Sequence, residues 1–139
     1  MTIYGWLSGN PGDAGIGGVL RNSCGKVVCV FSAYVGFEDA ITAEVLAIHR
    51  ACLLISSKPN LAGRFITIFS DSKSTVSWAN GKDFGSFKLV NLIFDIRNAL
   101  QSLVGLLVCF KHKESNSFAD SLAKGGSSNS GDRLEWSDK

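Results

Sequence analysis

Strong charge of one sign, paired cysteines and long apolar runs are all scarce in this chain. Lys and Arg number 14 against 12 Asp and Glu, a net charge of +2 over 139 residues. That balance permits a nucleic-acid partner without announcing one, because proteins that coat phosphate are usually far more basic. The cysteines Cys24, Cys29, Cys52 and Cys109 include no CxxC pair. Three of them sit in apolar runs and read as buried thiols in a reducing compartment, cytoplasm or nucleus, rather than as disulfides or zinc ligands. No apolar run approaches the roughly 20 residues that a membrane span needs. The start of the chain lacks the basic-then-apolar pattern of a secretory signal, so no membrane association is expected. There is no Walker loop, zinc spacing, dinucleotide fingerprint or Ser-His-Asp set. Gly15, Gly17 and Gly18 precede a strand-like run instead of a helix, which argues against a phosphate-cradling loop.

What is present is an ordinary globular composition, 45% apolar and 19% charged, in a length that suits one domain with a real core. Residues 3–7 are apolar enough for a buried strand, and Gly9-Asn10-Pro11-Gly12 is a turn signal. Residues 14–21 and 26–35 read as two further strands of an antiparallel meander, with the glycines of the second marking close backbone approach. The apolar period then lengthens. Residues 42–56 read as a helix capped by Thr42 and ended by Lys58-Pro59-Asn60. Residues 65–69 form a short β-branched run typical of a buried strand. A second helix follows Ser70-Asp71-Ser72 and stops near Asn80-Gly81.

Residues 87–103 carry the core stripe Leu89, Ile93, Ile96, Leu100, Leu103 of a third helix. Residues 106–110 are another strand, and Ser117 opens a short last helix through a capping-box spacing. The order βββαβααβα implies an α/β fold: a five-stranded mixed sheet, three antiparallel strands then two parallel, flanked by helices. The domain is expected to span residues 1–124, with 125–139 a flexible Gly/Ser/Asp-rich tail.

Three acidic residues stand at helix starts. Glu44 lies on the stripe of Ile48, Ala51 and Ile55, where a carboxylate needs a partner, although complementing the helix dipole is an alternative role. Asp71 sits where a strand gives way to a helix, a favoured position for ligands in α/β sheets, or else it is an N-cap. Asp120 is either part of the capping box or a third member of a set. Such carboxylates converging on one point suit a hard divalent cation, and two such cations activate water and stabilise a leaving oxygen in phosphoryl chemistry.

With these residues in place, the chain resembles the ribonuclease H family, most closely the plant domains related to reverse transcriptases of non-LTR retroelements. The resemblance rests on Gly9-Asn10-Pro11-Gly12, Gly15-Ile16-Gly17-Gly18-Val19-Leu20-Arg21-Asn22, Thr42-Ala43-Glu44, Phe69-Ser70-Asp71-Ser72 with Trp78, and the run from Lys113 to Ala123, and it covers roughly residues 2–125. It implies hydrolysis of the RNA strand of RNA–DNA hybrids with two Mg²⁺ (or Mn²⁺) ions held by four carboxylates. Glu44, Asp71 and Asp120 match the second, third and fourth. It also implies that Asn10 touches the RNA strand near its 2′-hydroxyl and that Gly9 lines the same groove. The basic insertion that some members carry is missing here, so substrate would be held by scattered groups such as Lys73, Lys82, Lys88, Lys111 and Lys113.

Two departures weigh against ordinary catalysis. The family's first carboxylate lies six residues before the Asn, which here is Tyr4, a bulky phenol with no anion at neutral pH. The family's His ten residues before the last Asp is Phe110 here, with His112 nearby as a substitute. The leading expectation is therefore a monomeric, retroelement-derived pseudoenzyme that binds RNA–DNA hybrid or other nucleic acid, with weak metal binding. The alternatives are an active Mg²⁺-dependent ribonuclease H and a protein-interaction domain that reuses the fold.

Overall fold

The computed structural model describes residues 2–62, 64–81, 87–103, 105–112, 117–127 and 132–136. The meander is longer than its apolar core predicts: β1 is Thr2–Asn10, β2 Gly12–Asn22 and β3 Val27–Glu38. Helix α1 (Ala40–Ser56) follows at once, then a single helical turn, α2 (Pro59–Ala62), and strand β4 (Phe65–Ser70). Next come α3 (Lys73–Ala79), a 3₁₀ turn at Phe87–Leu89, α4 (Val90–Ser102), β5 (Leu106–Phe110), α5 (Ser117–Ser127) and β6 (Arg133–Trp136).

The sheet order is β5-β4-β1-β2-β3-β6. β1 pairs antiparallel with β2 and parallel with β4, and β5 adds parallel to β4. The mixed sheet thus has six strands, not five. The difference is β6, which lies antiparallel on β3 with Cys29 opposite Trp136. Part of the segment expected to be a flexible tail is therefore an edge strand. Four residues in Gly/Ser-rich surroundings carry almost no strand signal of their own. They are held by the open hydrogen-bonding edge of β3 and by Trp136 packing on the core.

Alternation along β1 divides the molecule. Ile3 and Leu7 join Ile16, Leu20, Phe31, Ile66 and Ile68 on one face, where they meet Ile48 and Ile55 of α1 and Ile93 and Ile96 of α4. Burial of each such side chain is worth about 1.5–3 kcal/mol, so this layer carries most of the stability. Trp6 points to the other face, with Val19, Val30 and Leu122 under α5. α5 comes close there because Gly17 has no side chain. A β-carbon on it would lie 2.5 Å from the Ala123 nitrogen and 2.6 Å from Leu122 Cβ. Ser32, paired with Gly17, donates its hydroxyl to the Leu122 carbonyl.

Candidate functional site

α1 begins two residues earlier than its apolar pattern suggests. Its cap is Asp39, not Thr42: the Asp39 carboxylate accepts from the Thr42 backbone nitrogen at 2.7 Å. Hydrogen bonding from the Thr42 side chain, and then from its backbone nitrogen, holds the Asp39 carboxyl below its usual value. Glu44 consequently belongs to the second turn of α1. It is half-buried, with its Oε1 atom shielded from solvent. β1 runs directly beneath it. A β-carbon on Gly9 would lie 2.5 Å from the Ala43 carbonyl carbon, 2.6 Å from its oxygen and 2.8 Å from the Glu44 nitrogen. Only glycine lets strand and helix approach this closely.

Asp71 leaves the end of β4 and is half-buried. The cap of α3 is its neighbour Ser72, whose hydroxyl accepts from the Thr75 nitrogen. Buried Ser70 accepts from the Ser72 nitrogen at 3.2 Å. The capping role open to Asp71 in the sequence is thus filled by another residue. Asp71 and Glu44 therefore flank the same end of β1, one from β4 and one from α1. The backbone of Asp120 lies in α5, two residues before Leu122, and its side chain lies outside the described residues. Lys113 and Lys82 also lie outside them. Among the described residues, no three of His, Cys, Asp and Glu gather as a metal site.

Tyr4 is not brought to this place. It is level with Thr67 of β4, and its ring lies parallel to that of Phe69, with centroids 6.4 Å apart. Asn10 ends β1 at the turn, half-buried beside Gly9. Lys73 and Lys111 flank the Asp71 side of the site. Lys111 Nζ stands 4.9 Å over the Phe69 ring, and Lys73 Nζ stands 5.1 Å over Phe110. His112 is exposed and meets Phe110 edge-on at 5.4 Å. His49 is not part of this end; it bonds Asp95 at 3.2 Å. All four cysteines are free, and burial pushes the thiols of Cys29 and Cys52 up to about 11 and about 12.

A mixed sheet ordered 5-4-1-2-3, extended here by β6, with helices on both faces and acidic residues at one end of its central strands, is the architecture of an RNase H-like domain. The chain belongs to the reverse transcriptase-like family, whose model matches residues 4–126. The fold is shared with RNase H1 from the halophilic archaeon Halobacterium salinarum NRC-1 at a TM-score of 0.82 and 21% identity, over 94% of this chain and all of that one. LC11-RNase H1, isolated from compost by a metagenomic approach and solved in complex with RNA/DNA hybrid, superposes at 0.81 with 25% identity, over 91% of this chain and 97% of that one. The N-terminal RNase H domain of a Mycobacterium tuberculosis protein, solved as a fusion with maltose binding protein, gives 0.80 at 19% identity, over 92% and 94%. No curated protein matches the chain.

Proposed function

We propose that this domain binds RNA–DNA hybrid, or nucleic acid of related shape, at the end of the sheet marked by Gly9, Asn10, Glu44 and Asp71, and that its hydrolytic activity is weak or lost. One observation carries the second half. β1, the strand between Glu44 and Asp71, is Thr-Ile-Tyr-Gly-Trp-Leu-Ser-Gly-Asn and contains no acidic residue. A pair of divalent cations shared by one carboxylate on the central strand is therefore a poor fit to these residues. Glu44, Asp71 and Asp120 would hold one Mg²⁺ or Mn²⁺ ion weakly at most, because affinity for hard cations follows the number of charged oxygen ligands.

The binding half is supported by what remains. Gly9 keeps the backbone open beside α1, Asn10 sits at the rim, and Lys73 and Lys111 stand beside Asp71 as cations for phosphate. The hybrid-bound state of LC11-RNase H1, a neighbour of the same fold, supports the choice of ligand. Four free cysteines, two of them deeply buried, support a reducing compartment.

The test is a labelled RNA–DNA hybrid incubated with the chain and Mg²⁺ or Mn²⁺, with binding measured in parallel at low salt. Binding without cleavage is the expected result. Cleavage abolished by Asp71→Asn would establish an active ribonuclease instead. Absence of binding at low salt would leave the protein-interaction alternative, for which the mild net charge of +2 is the supporting observation.

A further inference from the structure

Spacing to Asn10 singles out Tyr4 as the residue replacing a carboxylate on β1, but the strand ladder points elsewhere. β1 and β4 run parallel, with Trp6 opposite Phe69. That ladder ends at Trp6 and Phe69 and β4 ends at Ser70; the same register carried two residues further brings Ser8 level with Asp71. Paired residues of a ladder share a face, as the rings of Trp6 and Phe69 do at 5.4 Å, and strand alternation continues that face to residue 8 on β1 and toward residue 71 beyond β4. Tyr4 is four residues back, about 13 Å along the strand. From the other side, Gly9 touches the backbone of Ala43 and Glu44. Ser8 is also opposite Gly17, over which Leu122 and Ala123 of α5 lie. Residue 8 thus stands where β4, α1 and α5 meet, and it is 2% exposed.

The difference has a physical origin. The count of six back from Asn10 goes with a strand that ends near Leu7 and a turn that begins at Gly9. Here β1 continues as strand through Asn10, and its partners run unbroken from Ile3↔Asn22 to Asn10↔Gly15. The turn is confined to the residues just after it. A strand that runs on through residues 8–10 leaves Tyr4 further back from the site.

We propose that Ser8, not Tyr4, occupies the β1 ligand position, and that Ser8→Asp alone completes a divalent-cation site with Glu44 and Asp71. The proposal rests on the reading of this end of the sheet as the functional site, but not on hybrid binding. A serine hydroxyl is a neutral donor, whereas aspartate brings an anion and two hard oxygens. At so buried a position that anion is costly until a cation pairs it. The metal-free variant is therefore less stable than the wild type, and the metal restores it.

The experiment compares the purified full chain as wild type, Ser8→Asp and Tyr4→Asp, without nucleic acid, by Mn²⁺ titration and by thermal unfolding with and without Mn²⁺. Ser8→Asp is expected to bind Mn²⁺ about tenfold or more tightly than the wild type and to gain Tm when Mn²⁺ is added, while Tyr4→Asp does neither. Tighter binding in Tyr4→Asp, or in neither variant, overturns the assignment. Should Ser8→Asp not fold, the near-isosteric Ser8→Cys takes its place, with Cd²⁺ as the probe because thiolate is a soft ligand. A thiolate-to-cadmium absorption band above the wild-type background is then expected in Ser8→Cys and absent in Tyr4→Cys; the reverse overturns the proposal. Loss of hybrid binding in the earlier assay leaves these cation results unchanged, so the two readings fail separately.

Discussion

At the scale of single residues, the site is set by small groups that let larger elements meet. Gly9 and Gly17 are the contact points of β1 with α1 and of β2 with α5. The close approach at Gly17 is legible from its glycine-rich strand, whereas Gly9 reads in the sequence as part of a turn and proves to be a strand residue. The caps are less legible. Thr42 and Asp71 are good cap residues by type, yet Asp39 and Ser72 do the capping. Cap identity depends on where the preceding strand stops, and apolar periodicity does not report that. Asp39→Ala tests the α1 cap. Loss of an Asp cap costs about 1 kcal/mol, and the pH dependence follows from the direction of the shift. The hydrogen bonds from Thr42 lower the Asp39 pKa in the fold. Its contribution is present above the ordinary carboxylate value and is lost as pH falls through the lowered one. Urea midpoints of the wild type and Asp39→Ala should therefore differ at pH 7 and draw together in acid. A constant gap across pH would mean that the carboxylate is not the cap.

At the scale of elements, the order βββαβααβα was legible because each element has its own period and its own breaker. Of the stripe Leu89, Ile93, Ile96, Leu100 and Leu103, four are buried as expected and Leu100 is half-buried against the core. Lengths and edges were not legible. β1 overruns its apolar stretch to Asn10 because β2 supplies partners for Ser8, Gly9 and Asn10. That overrun displaces Tyr4 from the site. β6 exists only because β3 offers an edge. Its Trp136 faces Cys29 and lies under Lys58, whose Nζ is 4.6 Å from the ring. The prediction belongs to this scale. Removing residues 132–139 should uncover the β3 edge and raise the labelling rate of Cys29 at pH 8 by about tenfold, the effect of roughly 1.4 kcal/mol on local opening. Cys52, buried on α1 and not part of β3, should stay slow. Mass spectrometry of labelled peptides separates the two. An unchanged Cys29 rate would show that β6 adds no cover.

At the scale of the whole molecule, the proposed binding raises the question of how a chain with a net charge of only +2 would hold a polyanion. The answer lies in placement. Lys88 is engaged with Glu38 at 2.9 Å, and Arg133 with Glu135, so neither adds to a field at the site. Lys73 and Lys111, by contrast, stand over aromatic rings next to Asp71. Rings at this distance hold an ammonium in place while leaving it hydrated and able to meet a phosphate. Binding should then depend on a few localised contacts, with modest affinity and a shallow salt dependence. Each phosphate contact removed lowers the slope of log K against log salt by about one unit. The double variant Lys73→Ala, Lys111→Ala should therefore bind hybrid more weakly at low salt, with a slope smaller by about two units. Its unfolding midpoint should stay close to that of the wild type, because exposed lysines contribute little to stability. A slope that stays the same while affinity falls would place the phosphates elsewhere on the surface. It would also separate the binding face from the end of the sheet where Glu44 and Asp71 flank β1.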